Sequence, residues 1–72
     1  MDRKQNLLKF GKRLKEIRLK KKLTQAELAE KIELSTNFVG MVERGLRNTS
    51  IEKLFSIAKA LNVTLEEFFK KM

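Results

Sequence analysis

Residues 23–45 read LTQAELAEKIELSTNFVGMVERG, and the stretch holds the start signals of two short helices. Thr24 followed by Glu27 is a capping box, in which hydroxyl and carboxylate each satisfy the other residue's backbone N–H, and Leu23 with Leu28 is the hydrophobic staple across it. Together they predict a second helix over 25–32 with Leu28, Ala29 and Ile32 inward. Ser35 caps a third helix, with Leu34 and Val39 placed as its staple, and Arg44-Gly45 ends it in the manner of a left-handed C-terminal glycine. The connection, Glu33-Leu34-Ser35, is short, and the small Ala29 lets the third helix cross close over the second at a steep angle.

Outward from this pair the chain stays helical. Leu7, Phe10, Leu14 and Ile17 form an i, i+3, i+7, i+10 stripe, which predicts a first helix from about residue 5 to 21. Leu46 to Thr49 reads as a loop, and Thr49 or Ser50 caps a fourth helix ending near Leu61. Val63-Thr64-Leu65-Glu66-Glu67-Phe68 repeats the box (Thr64, Glu67) and the staple (Val63, Phe68) of a fifth. Proline is absent, glycine stands only at 11, 40 and 45, and β-branched residues never alternate. The expected fold is all-α, five helices in one domain over residues 1–72, with no linker or internal repeat.

Composition narrows the function. The chain has 72 residues, no Cys and no His, so disulfides and the usual zinc sites cannot be built. Without His, Cys or Tyr, and with no glycine-rich phosphate loop, the usual nucleophile–base pairs are missing, and no enzyme activity or cofactor is expected. No apolar run is long enough to span a bilayer, and neither a signal peptide nor a ligand-sensing domain is expected. The 42% hydrophobic content suffices for a core.

Charge points toward a polyanion. The formal net charge is +8, and residues 1–22 alone carry ten Lys/Arg against Asp2 and Glu16. One-sided basic surfaces attract DNA, RNA or anionic membranes. The run Lys20-Lys21-Lys22 fits long-range steering, and equally a favourable helix C-terminus.

The paired short helices match helix-turn-helix geometry, in which the second helix of the pair enters the major groove. Thr24-Gln25-Ala26-Glu27-Leu28-Ala29, Val39-Gly40-Met41-Val42-Glu43-Arg44-Gly45 and Ser56-Ile57-Ala58-Lys59-Ala60-Leu61-Asn62-Val63 closely resemble the phage-repressor/Cro-type helix-turn-helix family, also called the Xre family. The resemblance covers roughly residues 10–69. It implies a five-helix, lambda-repressor-like DNA-binding domain that acts on operator DNA, usually as a twofold dimer, in the prokaryotic cytoplasm on the nucleoid. The stretch FVGMVERGLRNTS is further similar to the small controller proteins of restriction–modification systems. The family often has Gly where this chain has Glu33, and Pro where it has Thr49.

Candidate contacts follow. Asn37, Gly40, Met41 and Arg44 lie on the side of the third helix opposite Val39 and Val42, and Thr36 lies at its first turn; these are the groove-facing candidates. Asn37 suits bidentate pairing with adenine, Met41 apolar contact with a thymine methyl, Gly40 close backbone approach, and Arg44 a phosphate or guanine. Phe38 falls at the edge of the core. Phosphate contacts are expected from Thr24, Gln25 and the free N–H groups at the second helix start, and from Arg47 and Asn48. The resemblance places Arg18 and Glu43 as an internal ion pair.

Leu65, Phe69 and Met72 form an apolar edge on the last helix, with Phe68 turned inward, and are the expected homodimer interface. The alternative folds Phe69 back over Phe55 and Leu61. The resulting reading is a homodimeric, sequence-specific regulator on a palindromic operator, with no small-molecule effector and no membrane. The competing readings are an antitoxin-like or bridging protein-interaction module on the same fold, and a basic protein binding membranes or RNA through residues 1–22.

Overall fold

The computed structural model describes residues 2–72. Five α-helices follow in order: α1 (Arg3–Lys20), α2 (Gln25–Lys31), α3 (Thr36–Glu43), α4 (Ile51–Leu61) and α5 (Leu65–Phe69). No strand occurs among the described residues. The ends differ from the sequence expectation by one or two residues, and α1 starts earlier because Asp2 caps it, accepting from the Gln5 N–H.

Every helix start is held in the same way. Asp2, Thr24, Ser35, Ser50 and Thr64 are extended, and each side chain accepts the backbone N–H three residues on. Each such cap stabilises its helix by about 1 kcal/mol. Ser50, rather than Thr49, caps α4.

The ends of α1 to α4 share a second device, read directly from the sequence only at Gly45. Lys22, Glu33, Gly45 and Asn62 all take positive φ, at 60, 57, 74 and 58°. The next N–H in each case returns five residues: Leu23 to Arg18, Leu34 to Ala29, Leu46 to Met41 and Val63 to Ala58, at 2.9–3.1 Å. These are Schellman motifs, each followed by an apolar residue. Glu33 and Lys22 bear a strain on the order of 1 kcal/mol that glycine would avoid.

The core joins Leu14 and Ile17 of α1, Leu28 and Ala29 of α2, Phe38, Val39 and Val42 of α3, Ile57 and Leu61 of α4, and Phe68 of α5. Leu7, placed in the sequence stripe, is only half-buried and borders an open groove with Ile51, Leu54 and Phe69. α1 reaches α3 through Gly11: a Cβ there would stand 2.2 Å from the Val42 carbonyl oxygen and 2.6 Å from that of Glu43. No side chain fits at that crossing.

Arg13 fastens α5 to α1. Its buried guanidinium donates from Nε to the Phe68 carbonyl at 2.6 Å and from Nη2 to the Glu67 carbonyl at 2.8 Å, while Nη1 pairs with Glu16. These carbonyls lie in the last turn of a short helix, where only Glu67 also accepts a backbone N–H, that of Lys70.

Candidate nucleic-acid interface

The capping box and the Schellman turn at Glu33 fix α2 against α3, and this sets the side chains between them. Glu43 is buried at the end of α3. Arg18 of α1 donates to it from Nε (to Oε2, 2.6 Å) and Nη2 (to Oε1, 3.1 Å), and from Nη1 to the Leu23 carbonyl at 2.7 Å. Their side chains are only 7% and 2% exposed. Among the described residues no buried side-chain polar atom lacks a partner. The ion pair ties α1 to the end of α3 and to the α1–α2 turn.

Gln25 joins this network. Its Nε2 donates to Glu43 Oε1 at 2.9 Å. That bond fixes the amide across the start of α2 and leaves one Nε2–H directed elsewhere. Thr24 accepts from the Glu27 N–H at 3.0 Å and donates its own N–H to Glu27 Oε1 at 2.8 Å. The box uses the N–H groups of Thr24 and Glu27 and sets a carboxylate beside them, which leaves the Gln25 and Ala26 N–H groups at the helix start, with the Thr24 hydroxyl and the Gln25 amide, as the polar groups open there.

On α3, Thr36, Asn37 and Arg44 are exposed and Met41 is half-buried. Asn37 and Met41 stack one turn apart, with Asn37 Nδ2 at 3.5 Å from the Met41 sulfur. Gly40 departs from the expectation of an open backbone. It is buried, and a Cβ placed there would meet Arg44 Nη1 at 3.3 Å and the Gln25 amide at 3.5 Å. Those two side chains cover it, so it serves their packing rather than offering its own backbone.

Phe38 is buried, as its place at the core edge predicts, and two cations stand over its ring. The Arg47 guanidinium lies 5.5 Å from the centroid and the Lys53 ammonium 5.1 Å. Cation–π contact of this kind is worth about 0.5–1 kcal/mol at an exposed site. Lys53, absent from the sequence-derived candidates, thus shares a surface with Arg47 and the first turn of α3. Nothing local in the sequence marked it, because a single lysine near the start of an amphipathic helix is ordinary. Asn48 uses Oδ1 to accept the Thr49 N–H at 2.8 Å, which leaves its amide N–H groups as donors.

At the far end of the chain Phe68 is fully buried, while Phe69 and Met72 remain 39% and 43% exposed and Leu65 is half-buried. Phe69 does not fold over Phe55 and Leu61. Its ring lies against Phe10 and Phe68, at centroid distances of 6.2 and 5.2 Å. Ile51 and Phe55 of α4 are also exposed, at 74% and 57%, and sequence reasoning did not associate them with this edge. An open groove of about 300 Å³ runs among Phe10, Ile51, Leu54, Phe69 and Met72.

No group of three His, Cys, Asp or Glu among the described residues is placed to hold a metal ion, and no described helix is long and apolar enough to cross a membrane. The arrangement on α2 and α3 offers amides, a hydroxyl, guanidinium groups and a thioether, a set suited to recognition.

Comparison with known proteins agrees with that chemistry. The helix-turn-helix family matches residues 14–68. The crystal structure of the restriction–modification controller protein C.AhdI from Aeromonas hydrophila superposes with a TM-score of 0.90 at 42% identity, covering 96% of this chain and 100% of that one. The controller protein C.Esp1396I, solved as a tetramer in complex with its natural 35 base-pair operator, superposes with a TM-score of 0.81 at 39% identity, covering 89% and 84%. The immunity repressor protein of Bacillus phage phi105 is 43% identical over 53 residues, which is 74% of this chain; the chain spans 37% of that repressor's length.

Proposed function

The chain belongs to the helix-turn-helix family of Xre type, and from that premise we propose that it is a transcriptional regulator that binds operator DNA by laying α3 in the major groove. The observation that carries this reading is the exposed polar face of α3. Asn37, Met41 and Arg44 stand on it together, opposite the buried Val39 and Val42, with Thr36 exposed at the first turn beside them. Asn37 reads an adenine edge, Met41 touches a thymine methyl, and Arg44 reaches guanine or phosphate. Thr24, Gln25, Arg47, Lys53 and Asn48 take the flanking phosphates and fix register.

The functional unit is a homodimer joined through Leu65, Phe69 and Met72, with Ile51 and Phe55 extending the apolar edge. A twofold contact there is self-complementary and presents two α3 helices to one face of the duplex. The controller proteins are the subgroup this chain is most usefully compared with, given the coverage of C.AhdI.

Selection of bound sequences from a random duplex pool tests the reading. The expected product is an inverted repeat with half-sites about one helical turn apart, roughly 34 Å. A pool that stays unenriched would point instead to a protein-bridging module on the same fold.

A further inference from the structure

The net charge of the chain does not sit where α3 reads. Residues 23–50, which carry α2, α3 and the following loop, hold Lys31, Arg44 and Arg47 against Glu27, Glu30, Glu33 and Glu43. Residues 1–22 hold ten cations against two acids, equal to the formal +8 of the whole chain. Eight of those ten cations lie on α1, and Gly11 seats the helix on the Val42 and Glu43 carbonyls of α3. Seen from Asn37 and Met41, α1 therefore lies behind α3.

Three of its five lysines turn away from that seat, while Lys4 and Lys15 lie about 20° and 40° from Gly11. Lys12, Lys9 and Lys20 stand about 100°, 160° and 180° around the helix from Gly11, and all three are exposed. Lys71, from the other end of the chain, arrives on the same face: Lys9, Lys12 and Lys71 line an open groove of about 450 Å³ with Arg13 and Glu16, bounded by Met72 of the proposed dimer edge. Glu16 is engaged by Arg13, and among the described residues none of these lysines has an ion-pair partner. Unneutralised clusters of this kind raise the local potential and the concentration of polyanions around them.

We propose that this rear face of α1 and the chain end is a second binding surface for the phosphate backbone of duplex DNA, so that a molecule seated on its operator holds another DNA segment. The inference rests on the reading of α3 as the groove helix. Lysines are mobile point charges, suited to a phosphate backbone rather than to base edges. The groove carries no aromatic side chain on which unpaired bases would stack, which favours duplex over single-stranded nucleic acid. Lys9 to Lys20 spans about 16 Å of helix, an axial length over which duplex DNA carries about nine phosphates.

The test uses the full chain saturated with its selected operator, to which a second, labelled duplex of random sequence is added at low salt. Wild type should capture the second duplex. The variant Lys9→Gln/Lys12→Gln/Lys71→Gln should capture it about tenfold less, while operator affinity changes by less than about threefold. Acetylation footprinting should show these three lysines reactive with one duplex bound and protected with two. Equal capture by the variant, absence of capture by wild type, or stronger capture of single-stranded RNA would overturn the proposal. So would a parallel loss of operator affinity, which would assign the lysines to the operator itself. Failure of the α3 reading shows separately, as an Asn37→Ala variant that loses nothing on the operator.

Discussion

Gln25 donates its side-chain N–H to the Glu43 carboxylate, the same carboxylate that Arg18 grips from α1. One oxygen of a buried ion pair therefore orients a side chain at the proposed DNA surface. Stability and recognition are linked at this point. Glu43→Ala should cost about 3–5 kcal/mol, because it leaves the Arg18 charge buried without a partner, and melting followed by circular dichroism would register it. The double replacement Arg18→Met/Glu43→Leu should recover most of that stability. It should still bind all DNA sequences more weakly, by about 0.5–1.5 kcal/mol, since Gln25 must then be ordered on binding. A refolded double variant with unchanged affinity would show that the Gln25 anchor has no part in recognition.

Arg47 and Lys53 flank Phe38 and face the same surface. Arg47→Ala and Lys53→Ala should each lower affinity for operator and random DNA alike, and each should reduce the slope of log K against log salt by about one unit. A slope that does not move would remove that residue from the phosphate contacts.

Glu33→Gly should stabilise the fold by about 1 kcal/mol, because its φ of 57° strains any side chain with a Cβ. In a domain of this size that raises Tm by about 4–8 °C. Lys22→Gly should act in the same direction. Asn62→Gly should gain less, since asparagine tolerates the left-handed region. Differential scanning calorimetry on the three variants ranks them, and a uniform loss of stability would contradict the strain.

These positions also show how far the sequence was legible. Helix starts were readable because a cap is a local chemical signal: Thr24, Ser35, Ser50 and Thr64 each sit just before an apolar periodic run. Helix ends were less so: Gly45 advertises its left-handed residue, Glu33 was marked only by the family's usual glycine and Asn62 only weakly by its residue type, and Lys22 by nothing. The hydrogen bond returning five residues creates that turn whatever the side chain. Arg13 gave no signal at all, since its partners, the Glu67 and Phe68 carbonyls, are more than fifty residues away in sequence. The bond between Gln25 and Glu43 was hidden for the same reason, and with it the coupling of core to surface. The polar face of α3 was legible from periodicity, yet Gly40 was misread as open because periodicity does not reveal that Gln25 and Arg44 lie over it.

The exposed apolar edge predicts its own variant. Phe69→Asp should give a folded monomer with weakened operator binding, measurable by sedimentation and circular dichroism, because Phe69 lies at the rim of the core rather than within it. Ile51→Asp should weaken self-association in the same way, being more exposed still. A Phe69→Asp protein that stays dimeric would place the interface elsewhere.

The central claim is that α3 reads sequence, and Asn37 tests it most directly. Asn37→Ala removes an exposed amide whose one internal contact is the weak one to the Met41 sulfur, so the fold should be unaffected. Fluorescence anisotropy on the selected operator and on a scrambled duplex, at one salt concentration, separates readout from general attraction. The account predicts a loss of about 1–3 kcal/mol on the operator and none on the scrambled duplex. Equal losses on both, or none on either, would contradict it.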